Sequence, residues 1–266
     1  MLLRGTVSVA QAQGPRESQE DYLVQVPFKN KNNGQGHLLG VMDGHSGKDV
    51  AEYCAKTIPR LFNLRATSVA QELHRVVAEL GDRTRFLDAG STLSLVCVNE
   101  TRCTVTTAIL GDSPVVVVDV AGKVLLSEEH NVRTNIRERE AVLARGGVYR
   151  DGYIFNAPNN PYGLSHEDGL QLSRALGDHS LRWIMDQTPA VSQYALGAQS
   201  VVVIGSDGLF DPSHEQSRGL VVREILTHAR KNKGAYEVLR WRESFGLQDN
   251  TTVIVWVPQK WWQRLF

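Results

Sequence analysis

The chain has 266 residues, 42% hydrophobic and 22% charged, which allows a sizeable core and is ordinary for a globular protein. Its 29 basic residues balance 29 acidic ones, so no overall field gathers nucleic acid or an anionic membrane. No apolar run approaches the roughly 18 residues of a membrane span. Cys54, Cys97 and Cys103 match neither a zinc site nor a disulfide framework, which points to a reducing cytoplasm, or a nucleus in a eukaryote.

In chain order, strands are predicted over 3–10 and 22–27, then a glycine-rich hairpin loop over 30–36 and a strand over 38–42. A helix over 48–62 sets Val50, Ala51, Cys54, Ala55 and Ile58 on one face, and a second follows over 69–80. Strands over 92–98, 103–109 and 115–120 come next, the last two read as a hairpin through Gly111-Asp-Ser-Pro114. A helix over 133–144 stops at Gly146-Gly147, and an irregular segment from 149 to 169 precedes a strand at 200–204. Helices over 215–229 and 235–240 and a strand over 251–257 close the chain. Strands in runs, with helices in separate pairs, indicate a layered α+β fold rather than alternating βαβ units.

The apolar runs end in acidic turns: Asp43-Gly44-His45, Gly111-Asp112-Ser113, Ser206-Asp207-Gly208 and, entering the last strand, Asp249-Asn250. Taken singly, such dipeptides are ordinary turns. Carboxylates held at strand ends also suit a hard divalent cation, which takes carboxylate, carbonyl and water oxygens. Their recurrence from residue 43 to residue 249 implies that distant loops meet at one centre, so a single domain is expected over 1–266. Upstream, Arg16 offers a planar fork for phosphate, with Glu20 and Asp21 close behind.

With these residues in place, the chain resembles the metal-dependent serine/threonine phosphatases of the protein phosphatase 2C family. The resemblance rests on Arg16 with Glu20-Asp21, Asp43-Gly-His-Ser-Gly47, Gly90-Ser-Thr92, Gly111-Asp-Ser113, Ser173-Arg-Ala-Leu-Gly-Asp178, Ser206-Asp-Gly-Leu-Phe-Asp211 and Asp249-Asn250, in the family's order. It implies a four-layer α-β-β-α sandwich, two antiparallel sheets flanked by helices, with two Mn²⁺ or Mg²⁺ ions bridged by water at one edge. Asp43 would bridge the ions, Asp207 and Asp249 would complete the first, and Glu20 with the Gly44 carbonyl would serve the second. A third, weaker ion would fall to Asp112 with Asp207, while Asp21, Asp178, Asp211 and Asn250 would stand there or behind the ligands. Arg16 would hold the substrate phosphate and His45 would protonate the leaving oxygen. Phosphoproteins are the implied partners of a monomer, without nucleic acid or membrane span.

Pro114 stands where the family commonly has arginine, Ser46 where alanine or glycine is usual, and Glu128-Glu129-His130-Asn131 matches only loosely. A flap-like irregular segment at about 145–168 carries no defining motif. Three rivals remain open on sequence: a cysteine phosphatase using Cys54-Ala-Lys-Thr-Ile-Pro-Arg60, a catalytically silent binding or regulatory relative, and a two-metal nuclease. The Cys54 motif lacks glycines for an anion loop and lies in an amphipathic helix. Lys260-Trp-Trp-Gln-Arg-Leu-Phe266 is either a docking tail or a packed end.

Overall fold

The computed structural model describes residues 3–30, 34–156, 169–210, 218–231 and 233–259. The chain starts with strands β1 (Gly5–Ala12), β2 (Tyr22–Asn30), β3 (Gly34–Met42) and β4 (Gly44–His45), then helices α1 (Asp49–Leu61) and α2 (Val69–Thr84). Strands β5 (Gly90–Ser91), β6 (Leu93–Asn99), β7 (Thr104–Leu110), β8 (Val115–Val118) and β9 (Val124–Leu126) lead to α3 (Ile136–Ala144). After it come β10 (Gly147–Arg150), β11 (Tyr153–Asn156), β12 (Leu176–Gly177), β13 (Ala190–Ala195) and β14 (Val201–Gly205). The last elements are α4 (Asp207–Phe210), α5 (Arg218–Ala229), α6 (Ala235–Glu243) and β15 (Thr251–Pro258).

Two five-stranded antiparallel sheets, ordered β1-β15-β14-β8-β9 and β13-β7-β6-β3-β2, form the body. Side chains alternate along each strand, so one strand feeds two cores. Leu39, Val41, Val96, Val115, Val117, Val202, Ile204, Ile254 and Trp256 meet between the sheets. Leu38, Met42, Leu95 and Cys97 face outward onto Val50, Cys54 and Ile58 of α1 and Leu73, Val76 and Leu80 of α2. On the other side Val116, Val203, Val253 and Val255 lie under Val221 and Ile225 of α5 and Val238 and Leu239 of α6. The layers are therefore α-β-β-α, and burial on both faces explains the continuous valine runs.

Several elements fold differently from what the sequence pattern predicts. Strands β7 and β8 do not form a hairpin: β7 pairs with β6 and β13, while β8 pairs with β14 and β9 in the opposite sheet. The Gly111–Pro114 turn is instead a crossover between sheets, which the same turn chemistry permits. The glycine-rich 34–36 segment belongs to β3, because a Cβ on Gly36 would lie 1.9 Å from the Val98 carbonyl oxygen on the neighbouring strand. Residues 147–156 are also more regular than expected. They make the β10–β11 hairpin, whose Ile154 packs with Val142 of α3, Leu172 and Ile184 in a fourth cluster. The rest of the expected flap, and the 260–266 tail, lie outside the described residues.

Candidate metal and phosphate site

The acidic turns converge at one end of the sandwich because β14 and β15 pair in one sheet and β3 of the other sheet packs across from both. Asp43 follows β3, its N–H donating to Thr92 Oγ1 at 3.1 Å and its carbonyl accepting from Thr92 N at 2.9 Å. Asp207 opens α4, and its backbone N–H reaches Asp43 Oδ2 at 3.4 Å. Asn250 knits three segments together: its Oδ1 accepts from Glu20 N at 2.7 Å, and its amide donates to the carbonyls of Gln13 (2.8 Å) and Ser18 (3.0 Å). Gly44 N donates to the Glu20 carbonyl at 3.2 Å, and a Cβ there would come within 2.7 Å of that oxygen. These contacts bring Glu20, Asp43, Gly44, Asp207 and Asn250 to one place, and Asp249, which precedes Asn250, accepts the Asn250 N–H at 2.7 Å.

Asp21 is almost wholly buried. Its Oδ2 accepts from Ser206 Oγ (2.8 Å) and Thr252 Oγ1 (2.7 Å), while its Oδ1 is buried with no hydrogen-bond partner. Thr252 was absent from the sequence reading, although a polar residue in an apolar strand buried on both faces was the available signal. Burial, opposed by those two hydroxyls, raises the Asp21 pKa to about 6. Asp43 and Asp207 titrate well above the usual carboxylate range. Burial is the first cause for both; for Asp43 the negative neighbours Asp207, Asp21, Asp112 and Asp249 add to it.

Asp112 is held by the segment that matched the family only loosely. Asn131 Nδ2 donates to Asp112 Oδ2 at 2.8 Å, and His130 binds Gly111 twice, its N–H to the carbonyl and its Nδ1 to the N–H, each at 3.1 Å. Pro114 contributes its carbonyl to Gly205 N at 3.2 Å, so β8 starts normally despite the exchanged residue.

His130 is fully buried, and burial followed by the Arg174 charge pushes its pKa down to about 4 against the partial opposition of Glu138 and Asp186. The unfolded chain, with an ordinary histidine, binds more protons between pH 6.5 and 4. Stability should therefore be intact above pH 6.5 and fall by up to about 3 kcal/mol on the way to pH 4. Urea unfolding at several pH values should show a flatter acid limb for His130→Gln; an identical limb would remove His130 as the cause.

Arg16 and His45 are each engaged with a carboxylate. The Arg16 guanidinium, half-exposed, donates to Asp249 Oδ2, so the expected phosphate ligand is paired here with an expected metal ligand. His45 Nε2 faces both oxygens of Asp178, at 2.8 and 3.0 Å. Burial disfavours its charged form, but Asp178, Asp112 and Glu20 outweigh burial and raise its pKa. Asp178 thus sits with His45, and Asp211 lies outside the described residues. Cys54 is fully buried in the α1 core and its thiol is pushed up to about 12, which denies it thiolate chemistry.

Among the described residues no three histidine, cysteine or acidic side chains enclose one point on their own. The donor set nevertheless fits Mg²⁺ or Mn²⁺, which bind through few carboxylates and keep several waters. Clustered buried carboxylates that would otherwise retain protons, and the orphaned Asp21 Oδ1, suit a neutralising cation.

Comparison with known proteins agrees. The chain is 29% identical over 236 residues to "Probable protein phosphatase 2C 3" of Oryza sativa subsp. japonica, covering 82% of this chain and 47% of that one. It is 27% identical to "Probable protein phosphatase 2C 5" of Arabidopsis thaliana, covering 82% and 53%. It thus spans about half the length of these curated relatives. A phosphatase structure from Toxoplasma gondii superposes with a TM-score of 0.75 at 19% identity, over 97% of this chain and 93% of that one. The catalytic domain of the serine/threonine phosphatase PstP in complex with two manganese ions gives a TM-score of 0.63 at 17% identity, over 97% and 100%. These structural likenesses establish the fold. Residues 6–251 match the family model described as Protein phosphatase 2C, and the chain belongs to that family.

Proposed function

We propose that this chain is a Mn²⁺- or Mg²⁺-dependent phosphatase that hydrolyses phosphoserine and phosphothreonine in proteins, acting as one catalytic domain over 1–266. The observation that carries this reading is the convergence of Asp21, Asp43 and Asp207, all with raised pKa, beside Asp112 and Asp249. Asp43, Asp207 and Asp249 would hold one ion, Asp43, Glu20 and the Gly44 carbonyl the other, and Asp112 with Asp207 a weaker third. Two such ions, when bound, lower the pKa of a shared water and stabilise in-line attack on phosphorus.

The chain's own residues do the rest. Arg16, close to the acidic cluster through Asp249, supplies a fork for the phosphate oxygens once that pair is exchanged or shared. His45 gives a proton to the departing serine or threonine oxygen. Asn250 holds the Glu20 loop against the last strand so that the two acidic turns keep their spacing. No helix among the described residues is long and apolar enough to cross a membrane; a cytoplasmic or nuclear monomer acting on phosphoproteins remains part of the proposal.

Hydrolysis of a phosphothreonine peptide tests this directly. Activity should require Mn²⁺ or Mg²⁺, vanish with excess EDTA and persist in Cys54→Ser. Activity that survives chelation but is lost in Cys54→Ser would replace this reading with the cysteine mechanism. A folded protein inert with every divalent cation would make it a binding or regulatory relative.

A further inference from the structure

Gly90 lies between two residues that are 133 positions apart in sequence, His45 and Asp178. The three short strands order as β12-β5-β4, and on this ladder Gly90 pairs with His45 on one side and with Gly177 on the other. Asp178 follows Gly177 directly. A Cβ on Gly90 would stand 2.1 Å from His45 Nε2 and 2.3 and 2.5 Å from the two carboxylate oxygens of Asp178. Only a residue without a side chain leaves the space in which imidazole and carboxylate touch.

Asp178 is built in rather than draped over the surface. It is 5% exposed and adopts φ 51°, ψ 52°, the left-handed region that a non-glycine residue enters at a cost. Its N–H donates to the Ala89 carbonyl at 3.2 Å, and its own carbonyl accepts from Leu181 N at 2.8 Å. Such strain persists where the surroundings over-determine it, often at functional sites. Both carboxylate oxygens address the same nitrogen, at 2.8 and 3.0 Å.

From this geometry we infer that Asp178 is the positioning residue of His45: it takes the Nε2–H, fixes the ring, and makes Nδ1 the nitrogen that delivers the proton. The inference rests on the phosphatase reading above. As the bond from a water oxygen to phosphorus forms and the ester P–O bond breaks, the proton on Nδ1 passes to the serine or threonine oxygen. The imidazole is left neutral with Nε2–H still on Asp178, and the proton released by the attacking water restores the imidazolium through solvent. A carboxylate that orients an imidazole and stabilises its cation is a general device in acid–base catalysis.

Asp178→Asn suits the test, since asparagine tolerates the left-handed backbone and removes only the charge. Turnover of a phosphothreonine peptide should fall about 10²-fold, the usual scale of one proton transfer. Turnover of p-nitrophenyl phosphate, whose leaving group needs little protonation, should fall less than about threefold on the same argument. In a His45→Ala background the Asp178→Asn change should add nothing, and Asp178→Glu should recover part of the loss. Equal losses on both substrates, or full additivity with His45→Ala, would overturn the assignment.

Proton NMR supplies a readout independent of turnover. An exchange-protected, hydrogen-bonded Nε2–H resonance of His45 should be present in the wild type and move upfield in Asp178→Asn, where a neutral amide oxygen replaces the carboxylate as acceptor. Its absence from the wild type overturns the pairing. A wild type inert on both substrates with that resonance intact supports the pairing and sinks only the phosphatase reading.

Discussion

Asp43→Asn is expected to lower turnover of a phosphothreonine peptide at least about 10³-fold at saturating Mn²⁺, the loss of several kcal/mol of transition-state stabilisation. The substitution is close to isosteric, and the backbone bonds of Asp43 to Thr92 do not involve the carboxylate. The amide oxygen can still accept from Asp207 N, so the turn should survive. What disappears is the charge at the centre of the acidic cluster. The same change removes a buried group that repels Asp207, Asp21, Asp112 and Asp249, so the variant without added cation should melt at or above the wild-type temperature. Lost activity with retained or raised Tm is the combination sought. Turnover within tenfold of wild type would exclude Asp43 from the chemistry.

Trp256→Ala should cost about 3–5 kcal/mol of unfolding free energy, the usual range for deleting a fully buried large aromatic side chain. Trp256 is wholly buried in β15, paired with Val7 of β1 and Val202 of β14, in the layer between the sheets. Its ring fills the space beside Gly5, where a Cβ would lie 2.0 Å from Nε1. Nε1 also donates to Glu100 Oε1 at 3.3 Å, joining the two sheets by a polar contact within an apolar layer. Truncation leaves a cavity and takes one donor from a carboxylate that keeps Gly5 N at 2.7 Å. Urea midpoints with an unchanged slope would measure the loss; a change below about 1 kcal/mol would mean that the layer closes around the gap.

Much of the candidate site was legible because its carboxylates stand in short, ordered motifs. Asp43, Asp207 and Asp249 follow or precede strands whose apolar runs are visible in the chain, so their place at strand ends needed only local pattern. Asp178 stood within a matching motif as well, but its partner was not legible. His45 and Asp178 meet through a ladder of two-residue strands, too short to leave a periodic signal. The Arg16–Asp249 pair spans 233 positions and likewise has no local trace.

Composition, periodicity and motif order by themselves determined a layered α+β chain, its main apolar strands, its amphipathic helices and its family resemblance. Partner choice was decided only in the folded molecule. Strands covered on both faces are apolar on both, so pattern sets neither their neighbour nor their sheet. That is why β7 and β8, adjacent in sequence and joined by good turn residues, ended in different sheets. Gly90 stands in the matching Gly90-Ser-Thr92 motif, but the space it leaves for the His45 imidazole and the Asp178 carboxylate exists only where three chain segments meet in the fold.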